Sequence, residues 1–241
     1  MIRRNLVFAV LVFLLMRLGI AETLLVAAGA GYKRPVFEMA VEFERKTGIR
    51  VEQIYGHMAG VVEQARQSGQ VAVVFGDLFY LEKVQGISFA GFLPLGEGRL
   101  VVGWPKGGEL KAVADLVQPR FARIAIPDTK SAIFGIAANE FIQRNGLASQ
   151  LQSRLQVVAT VPQVSAYLIS GDVDAGFINL TEALANKDKI GGYLVIDRGL
   201  YPAIRIVGAI VQGFEQQASV MRLRKFLESP EARDILDKHG L

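Results

Sequence analysis

Residues 24–55 read LLVAAGAGYKRPVFEMAVEFERKTGIRVEQIY and carry the signals of a strand, a helix and a second strand in succession. Residues 24–28 form a short apolar run, and residues 50–55 alternate in the manner of a strand. Between them, residues 35–47 repeat apolar side chains at helical spacing, and Gly48 is typical of a helix C-terminus. This order predicts two parallel strands joined by a helical crossover.

The same alternation continues along the chain. A helix over 61–68 and a strand over 72–75 complete the first half, and Ser229 is the expected N-cap of the last helix. Further strands are predicted at 99–104, 122–126, 155–159, 175–178, 193–196 and 204–211. Further helices are predicted at 111–117, 132–145, 161–170, 181–185, 214–227 and 230–239.

The pattern predicts an α/β protein of two lobes, each a mostly parallel sheet flanked by helices. No linker separates the halves, so we expect strands 99–104 and 204–211 to cross between the lobes as a hinge. The first lobe would comprise 22–101 and 208–241, and the second lobe 102–207.

Residues 1–21 have the pattern of a secretory signal peptide. Arg3 and Arg4 precede an apolar run at 6–16, and small residues stand at Gly19 and Ala21. The run is shorter than the roughly 20 residues that a bilayer core requires. An uncleaved membrane anchor is the alternative.

The charge of the chain belongs largely to this segment. The full sequence has 27 Lys and Arg against 23 Asp and Glu, and three of the arginines lie in 1–21, so the remainder has a net charge of +1. This balance argues against a nucleic-acid partner. The chain has no Cys and hence no lipoprotein cysteine, so we expect a protein free in the periplasm rather than lipid-anchored.

The residue types needed for catalysis are scarce. His57 and His239 are the two histidines, and the sequence lacks the common hydrolase, zinc-protease and Walker motifs. Gly29-Ala30-Gly31 begins a dinucleotide fingerprint, but Arg34 stands where its third glycine belongs. We therefore expect no enzyme, no cofactor and no metal held directly by side chains.

Four junctions between a strand and the following helix are candidates for a ligand site, at 29–33, 57–60, 128–134 and 160–163. Helix N-termini present unpaired N–H groups that favour anions without any cationic side chain. Tight turns would use the same glycines for conformational reasons alone, so both readings stand at this point.

Several segments together point to a known family. They are spread along the chain from residue 21 to residue 240. They are AETLLVAAGAGYKRPVFEMAVEFERKTGIRV at 21–51, the turn and helix at 56–69, IAIPD at 124–128, SGDVDAGF at 170–177, YP at 201–202, FLESPEA at 226–232 and KHG at 238–240. With them the chain resembles the periplasmic molybdate-binding proteins, the substrate-binding components of ABC importers. The resemblance implies a type II-like periplasmic-binding-protein fold, in which two lobes close over an anion.

The resemblance also implies a site built from neutral hydrogen-bond donors. The family's two serine positions fall at Gly31 and at Ala59 or Gly60, and its tyrosine falls at Asn179. Its second-lobe N–H donors fall near Ile133 or Phe134 and at Val161. Candidate replacements for the lost donors are Tyr32, Lys33, His57 and Asn179, with Lys33 expected on the surface.

The function implied is that of a monomeric periplasmic receptor that delivers an oxyanion, molybdate or tungstate, to a membrane permease and its ATPase. Because three side-chain donors differ from the family pattern, another anion or a small carboxylated or phosphorylated solute is the alternative. An exported sensory or adhesive receptor with the same fold is a further one.

Overall fold

Two five-stranded sheets flanked by helices make up this protein, in a computed structural model that describes residues 22–241. The predicted signal peptide at 1–21 lies outside the described residues. The strands are β1 (Thr23–Gly29), β2 (Arg50–Gly56), β3 (Val73–Asp77), β4 (Phe89–Gly98), β5 (Leu100–Trp104), β6 (Ile124–Pro127), β7 (Leu155–Val158), β8 (Ala175–Asn179), β9 (Gly192–Val195) and β10 (Ile204–Val211).

The α-helices alternate with these strands. They are α1 (Lys33–Thr47), α2 (Met58–Ser68), α3 (Leu78–Lys83), α4 (Ile133–Arg144), α5 (Ala148–Leu151), α6 (Val161–Ser170), α7 (Leu180–Ala185), α8 (Ala218–Leu227) and α9 (Pro230–Lys238). Short 3-10 turns lie at Ala30–Tyr32, Val113–Val117, Gln152–Arg154 and Arg198–Leu200. The predicted helix at 111–117 is thus a 3-10 turn, and the helix predicted from residue 214 begins at Ala218.

Both sheets have the same topology. The first has the order β2-β1-β3-β10-β4 and the second β7-β6-β8-β5-β9. In each, four strands run in one direction, and the inner strand β10 or β5 is antiparallel to both of its neighbours. This arrangement confirms the predicted two-lobed α/β fold with mostly parallel sheets. We call the first sheet with its helices the first lobe, and the second sheet with its helices the second lobe.

Each time the chain crosses from one lobe to the other, it continues there in the antiparallel strand. It leaves the first sheet after Gly98, begins the second at Leu100, and returns to the first at Ile204. Each of these strands pairs within one sheet, so Leu100 and Val101 belong to the second sheet and 204–207 to the first. The sheet pairing thus changes from one sheet to the other a few residues away from the expected lobe limits 22–101, 102–207 and 208–241, which stay a prediction.

Strand β4 and helices α3 and α5 are the strand and the α-helices that the sequence pattern did not predict. β4 contains three glycines and Pro94, which are residues that ordinarily argue against a strand. It lies at the edge of its sheet and carries a register shift opposite Ile206 and Val207, where proline and irregular pairing are tolerated.

The helix ends that the sequence did predict depend on local chemistry. Gly48 has φ of 72° and ends α1, and the Ser229 hydroxyl accepts a hydrogen bond from the Ala232 N–H at 3.3 Å as the N-cap of α9. Within residues 22–241, no helix is both long and apolar enough to cross a membrane.

A glycine sets how closely α4 packs against the end of β6. A Cβ at Gly135 would lie 2.2 Å from the Asp128 carbonyl oxygen and 2.4 Å from that of Pro127. We expect Gly135→Ala to lower the free energy of unfolding by about 1–3 kcal/mol, because backbone must shift to admit the methyl group. Equilibrium urea unfolding measures this change.

Gly199→Ala is the control, since its Cβ would meet Asp197 at an ordinary contact distance of 3.4 Å. Equal stability losses in the two variants would contradict the packing argument.

Candidate functional site

A cavity lies between the two lobes, at the carboxyl ends of β1, β2, β6 and β7. Thirteen residues line it, at 29–32 and 56–58 in the first lobe and at 132–134 and 159–161 in the second. Each of the four predicted strand-to-helix junctions contributes residues to it. In open α/β sheets, this edge is where ligands bind.

The cavity is small. The centre of a water molecule can move through about 20 Å³ of it. A sphere of this volume has a radius of roughly 1.7 Å. Because the volume counts only positions of the water's centre, the radius of the hollow is larger by the water's own radius of about 1.4 Å, or about 3 Å in all. The space suits one compact anion built on a single central atom, and it is too small for a sugar or a peptide.

Four helical segments begin at this cavity. They are α1 with the 3-10 turn at Ala30–Tyr32 before it, α2, α4 and α6. The N–H groups of a first helical turn have no partner within the helix. The geometry therefore brings backbone donors from both lobes to one hollow.

Side chains cap two of these helical starts and leave two uncapped. His57 Nδ1 accepts from the Gly60 N–H at 3.1 Å, and the Thr160 hydroxyl accepts from the Gln163 N–H at 3.4 Å. Ala132 at the start of α4 and Gly29 before the 3-10 turn have no side-chain acceptor to offer. First-turn donors at these two starts are available to a ligand.

Two lining side chains, His57 and Thr160, add donors. Because His57 Nδ1 accepts a hydrogen bond, the proton of the neutral ring lies on Nε2. Thr160 keeps its hydroxyl proton to donate while its oxygen caps α6. Tyr32 also lines the cavity, and burial raises the pKa of its phenol well above the ordinary value, so the hydroxyl stays protonated.

The Tyr32 hydroxyl is buried next to Gly98, the last residue of β4. The residue is 1% exposed, and its oxygen has no hydrogen-bond partner among the described residues. A Cβ at Gly98 would lie 2.5 Å from this oxygen, so glycine is needed there. Across the cleft, the Tyr32 ring lies 5.7 Å from that of Phe134.

Six of the nine residues expected at the site line the cavity. They are Gly31, Tyr32, His57, Ile133, Phe134 and Val161. Ala59, Gly60 and Asn179 do not line it. The Gly60 N–H is bonded to the His57 ring, and Ala59 is exposed on α2.

Asn179 is 1% exposed, and its side chain joins the lobes. Its Oδ1 accepts from the Glu182 N–H at 2.9 Å as the N-cap of α7, and its Nδ2 donates to the Gly31 carbonyl at 2.8 Å. A Cβ at Gly31 would lie 3.2 Å from this Nδ2 and 3.5 Å from Val161 Cγ2. Gly31 and Asn179, which stand where the family pattern has a serine and a tyrosine donor, therefore form one contact with each other. The two replacements are linked and are not two independent losses of a donor.

Further contacts hold the lobes together in this closed arrangement. The Met58 N–H donates to the Ser131 carbonyl at 3.1 Å, and Arg34 Nε donates to Glu182 Oε1 at 3.0 Å. Glu182 is buried, and its second oxygen accepts from Asn186 Nδ2 at 2.9 Å. The Met58–Ser131 and Arg34–Glu182 bonds each join the two lobes directly.

Lys33 is exposed, with Nζ 5.6 Å from the centre of the Tyr55 ring, and it does not line the cavity. Met58 and Thr160 line it but were not among the predicted site residues. Thr160 could have been found from its place before Val161-Pro162, a common pattern at a helix start. Met58 shows no such signal, since it packs against Gly29 only in the fold.

Among residues 22–241, no three His, Asp or Glu side chains come close enough to form a metal site. Asp128 lies near the cavity but is turned toward Ser131, whose hydroxyl donates to it at 2.6 Å and lowers the pKa of its carboxyl. None of the thirteen lining residues is Asp, Glu, Lys or Arg.

The family model described as bacterial extracellular solute-binding protein matches residues 24–241. The chain belongs to this family. Among its relatives, the molybdate-binding protein ModA of Azotobacter vinelandii is 25% identical over 221 residues, or 89% of this chain and 88% of that protein. These relatives are solute-binding proteins and not enzymes, which confirms both the resemblance and the expectation that this chain is not an enzyme.

Solved structures show the same fold. The periplasmic molybdate-binding protein of Azotobacter vinelandii aligns with a TM-score of 0.81 at 24% identity, covering 90% of this chain and 97% of that one. PEB3, a Campylobacter jejuni protein solved with L-phospholactate bound, aligns at 0.73 and 19% identity, covering 90% and 98%. The solute-binding fold thus accommodates different anions.

The contact at Asn179 can be tested without removing the cap of α7. Asn179→Asp keeps an oxygen for the Glu182 N–H but places a carboxylate against the Gly31 carbonyl. We expect an increased radius of gyration of the ligand-free protein in small-angle X-ray scattering. We also expect a free energy of unfolding lower by about 1–3 kcal/mol, because a buried acceptor loses its donor.

The control is Asn145→Asp, which loses two donor bonds, both made within the second lobe. Unchanged scattering in the Asn179 variant would show that this bond does not hold the lobes closed.

Proposed function

We propose that this protein is a periplasmic receptor of an ABC importer that binds molybdate or tungstate in the cavity between its lobes. The observation that carries the proposal is the convergence of four helical N-termini, two of them uncapped, on a hollow of single-anion size. The molybdate-binding relatives support the same ligand class.

The charge of the site suits a dianion. Each helix N-terminus acts as roughly half a positive charge, so four of them offer roughly two. Since the lining side chains include no Lys or Arg, these backbone dipoles would do most of the neutralising. They are rigid, so binding would need little rearrangement of the site itself.

The donors should also discriminate between anions that carry a proton and anions that carry none. Molybdate, tungstate and sulfate carry no proton at neutral pH, whereas phosphate keeps one and needs an acceptor for it. The cavity lining has no carboxylate, and the His57 Nδ1 lone pair is already used. Phosphate should therefore bind more weakly than the proton-free anions.

We base the proposed wider role on family membership and on the sequence. We place the protein in the periplasm after removal of 1–21, as a monomer without a lipid anchor, delivering its ligand to a permease and ATPase. PEB3 with L-phospholactate motivates a second candidate, an organic anion whose phosphoryl group alone enters the hollow.

The ligand is tested by titration calorimetry on protein that has been unfolded and refolded to release bound anions. We expect molybdate and tungstate to bind, sulfate to bind more weakly because it is smaller, and phosphate and phospholactate weakest. Tighter binding of phospholactate would favour the second candidate, and no heat with molybdate or tungstate would overturn the ligand assignment.

The backbone donors can be tested at the start of α4. Ile133→Pro removes one N–H at a helix position that tolerates proline, and Ala132 before it already has the extended ψ of 129° that proline requires. Hydrogen bonds to charged groups contribute about 1.5–3 kcal/mol, so we expect the Kd for the bound oxyanion to rise about 10- to 100-fold.

Ile133→Ala is the matched control, because it removes the same side chain and keeps the N–H. Equal Kd values for the alanine and proline variants would exclude this N–H as a ligand donor.

A further inference from the structure

A second, larger hollow opens beside the oxyanion cavity. It lies between α3 of the first lobe and α4 of the second, with the start of β10 beside both, and we call it the side groove. Its volume is about 570 Å³, against about 20 Å³ for the oxyanion cavity. Sites for small organic ligands have volumes of about 300–1,000 Å³.

The walls of the side groove are mainly apolar. α4 contributes Ile133, Ile136 and Ala137, and the segment entering β10 contributes Pro202 and Ile204. From α3, Phe79 is 58% exposed, an unusual exposure for a large aromatic side chain. Such a surface favours a ligand with an aromatic or aliphatic body.

The charges in the groove favour an anionic ligand. Three of its side chains are basic and two are acidic. Glu140 is paired with Arg144 at 2.7 Å, and both Asp77 oxygens accept backbone N–H groups, from Tyr80 and Arg205. This leaves one positive charge in excess, and the two cations without an acidic side-chain partner at the groove, Lys83 and Arg205, both lie on elements of the first lobe.

The two remaining cations are suitably placed for a carboxylate. Lys83 lies with Nζ 3.5 Å from the centre of the Phe79 ring, at the aromatic wall, and is exposed. Arg205 is also exposed and stands at the start of β10, near Asp77. A ligand lying along Phe79 could offer its carboxylate to either cation.

We infer that the side groove is a second binding site, for a small amphipathic carboxylate with an aromatic or aliphatic body. Such a ligand would contact both lobes at once and would favour their closed arrangement. Ile133 lines both hollows, so the two sites share a wall without sharing a ligand. Because both ligands would favour closure, each should bind more tightly in the presence of the other.

The test uses 2-naphthoate as the probe and saturation-transfer NMR on the purified protein to measure its Kd. We expect binding by the parent protein and at least a tenfold higher Kd for Lys83→Gln/Arg205→Gln, which removes both cations. The neutral amide of the probe should bind more weakly than the carboxylate. Arg222→Gln/Lys225→Gln makes the same charge change on exposed positions of α8, outside the groove, and should leave Kd unchanged.

The outcomes separate this site from the oxyanion cavity. Tighter naphthoate binding to molybdate-saturated protein than to the anion-free protein supports the proposal, and weaker binding or displacement by molybdate overturns it. Absence of binding, or an equal Kd in both double variants, also overturns it. If no oxyanion binds at all, the comparison of the two double variants still decides the question, because it does not depend on the anion.

Discussion

Backbone N–H groups at four helical starts, two of which have no side-chain cap, are the constraint on which the rest of this structure depends. They face one small hollow, and a buried donor without a partner costs about 1–3 kcal/mol. Open lobes satisfy such donors with water, and closed lobes need an acceptor between them. A compact anion meets that need for both lobes together, so anion binding and lobe closure become one event.

Direct contacts between the lobes shift the equilibrium between the open and the closed arrangement toward the closed one. Asn179 holds the Gly31 carbonyl, Arg34 pairs with the buried Glu182, and the Met58 N–H is bonded to Ser131. These bonds join the two lobes directly, so they favour the closed arrangement and offset part of the cost of bringing unpaired donors together.

Helix α4 connects the features of the cleft. Its uncapped first turn faces the oxyanion cavity, Gly135 presses it against the end of β6, and its following turns line the side groove. The helix belongs to the second lobe, while α3 across the groove belongs to the first. A movement of the lobes therefore changes the cavity and the groove together.

The sequence by itself determined the alternation of strands and helices, the helix ends at Gly48 and Ser229, and the four junctions that carry the cavity. These features depend on periodicity and local capping, which act within a few residues. Only the tertiary structure decided that β4 with Pro94 is an edge strand, that Asn179 turns away from the cavity to bind Gly31, and that the Tyr32 hydroxyl lies beside Gly98. Each of these depends on a contact between residues far apart in sequence. At such a contact, the space left by one residue decides which position and which hydrogen bond the other can adopt.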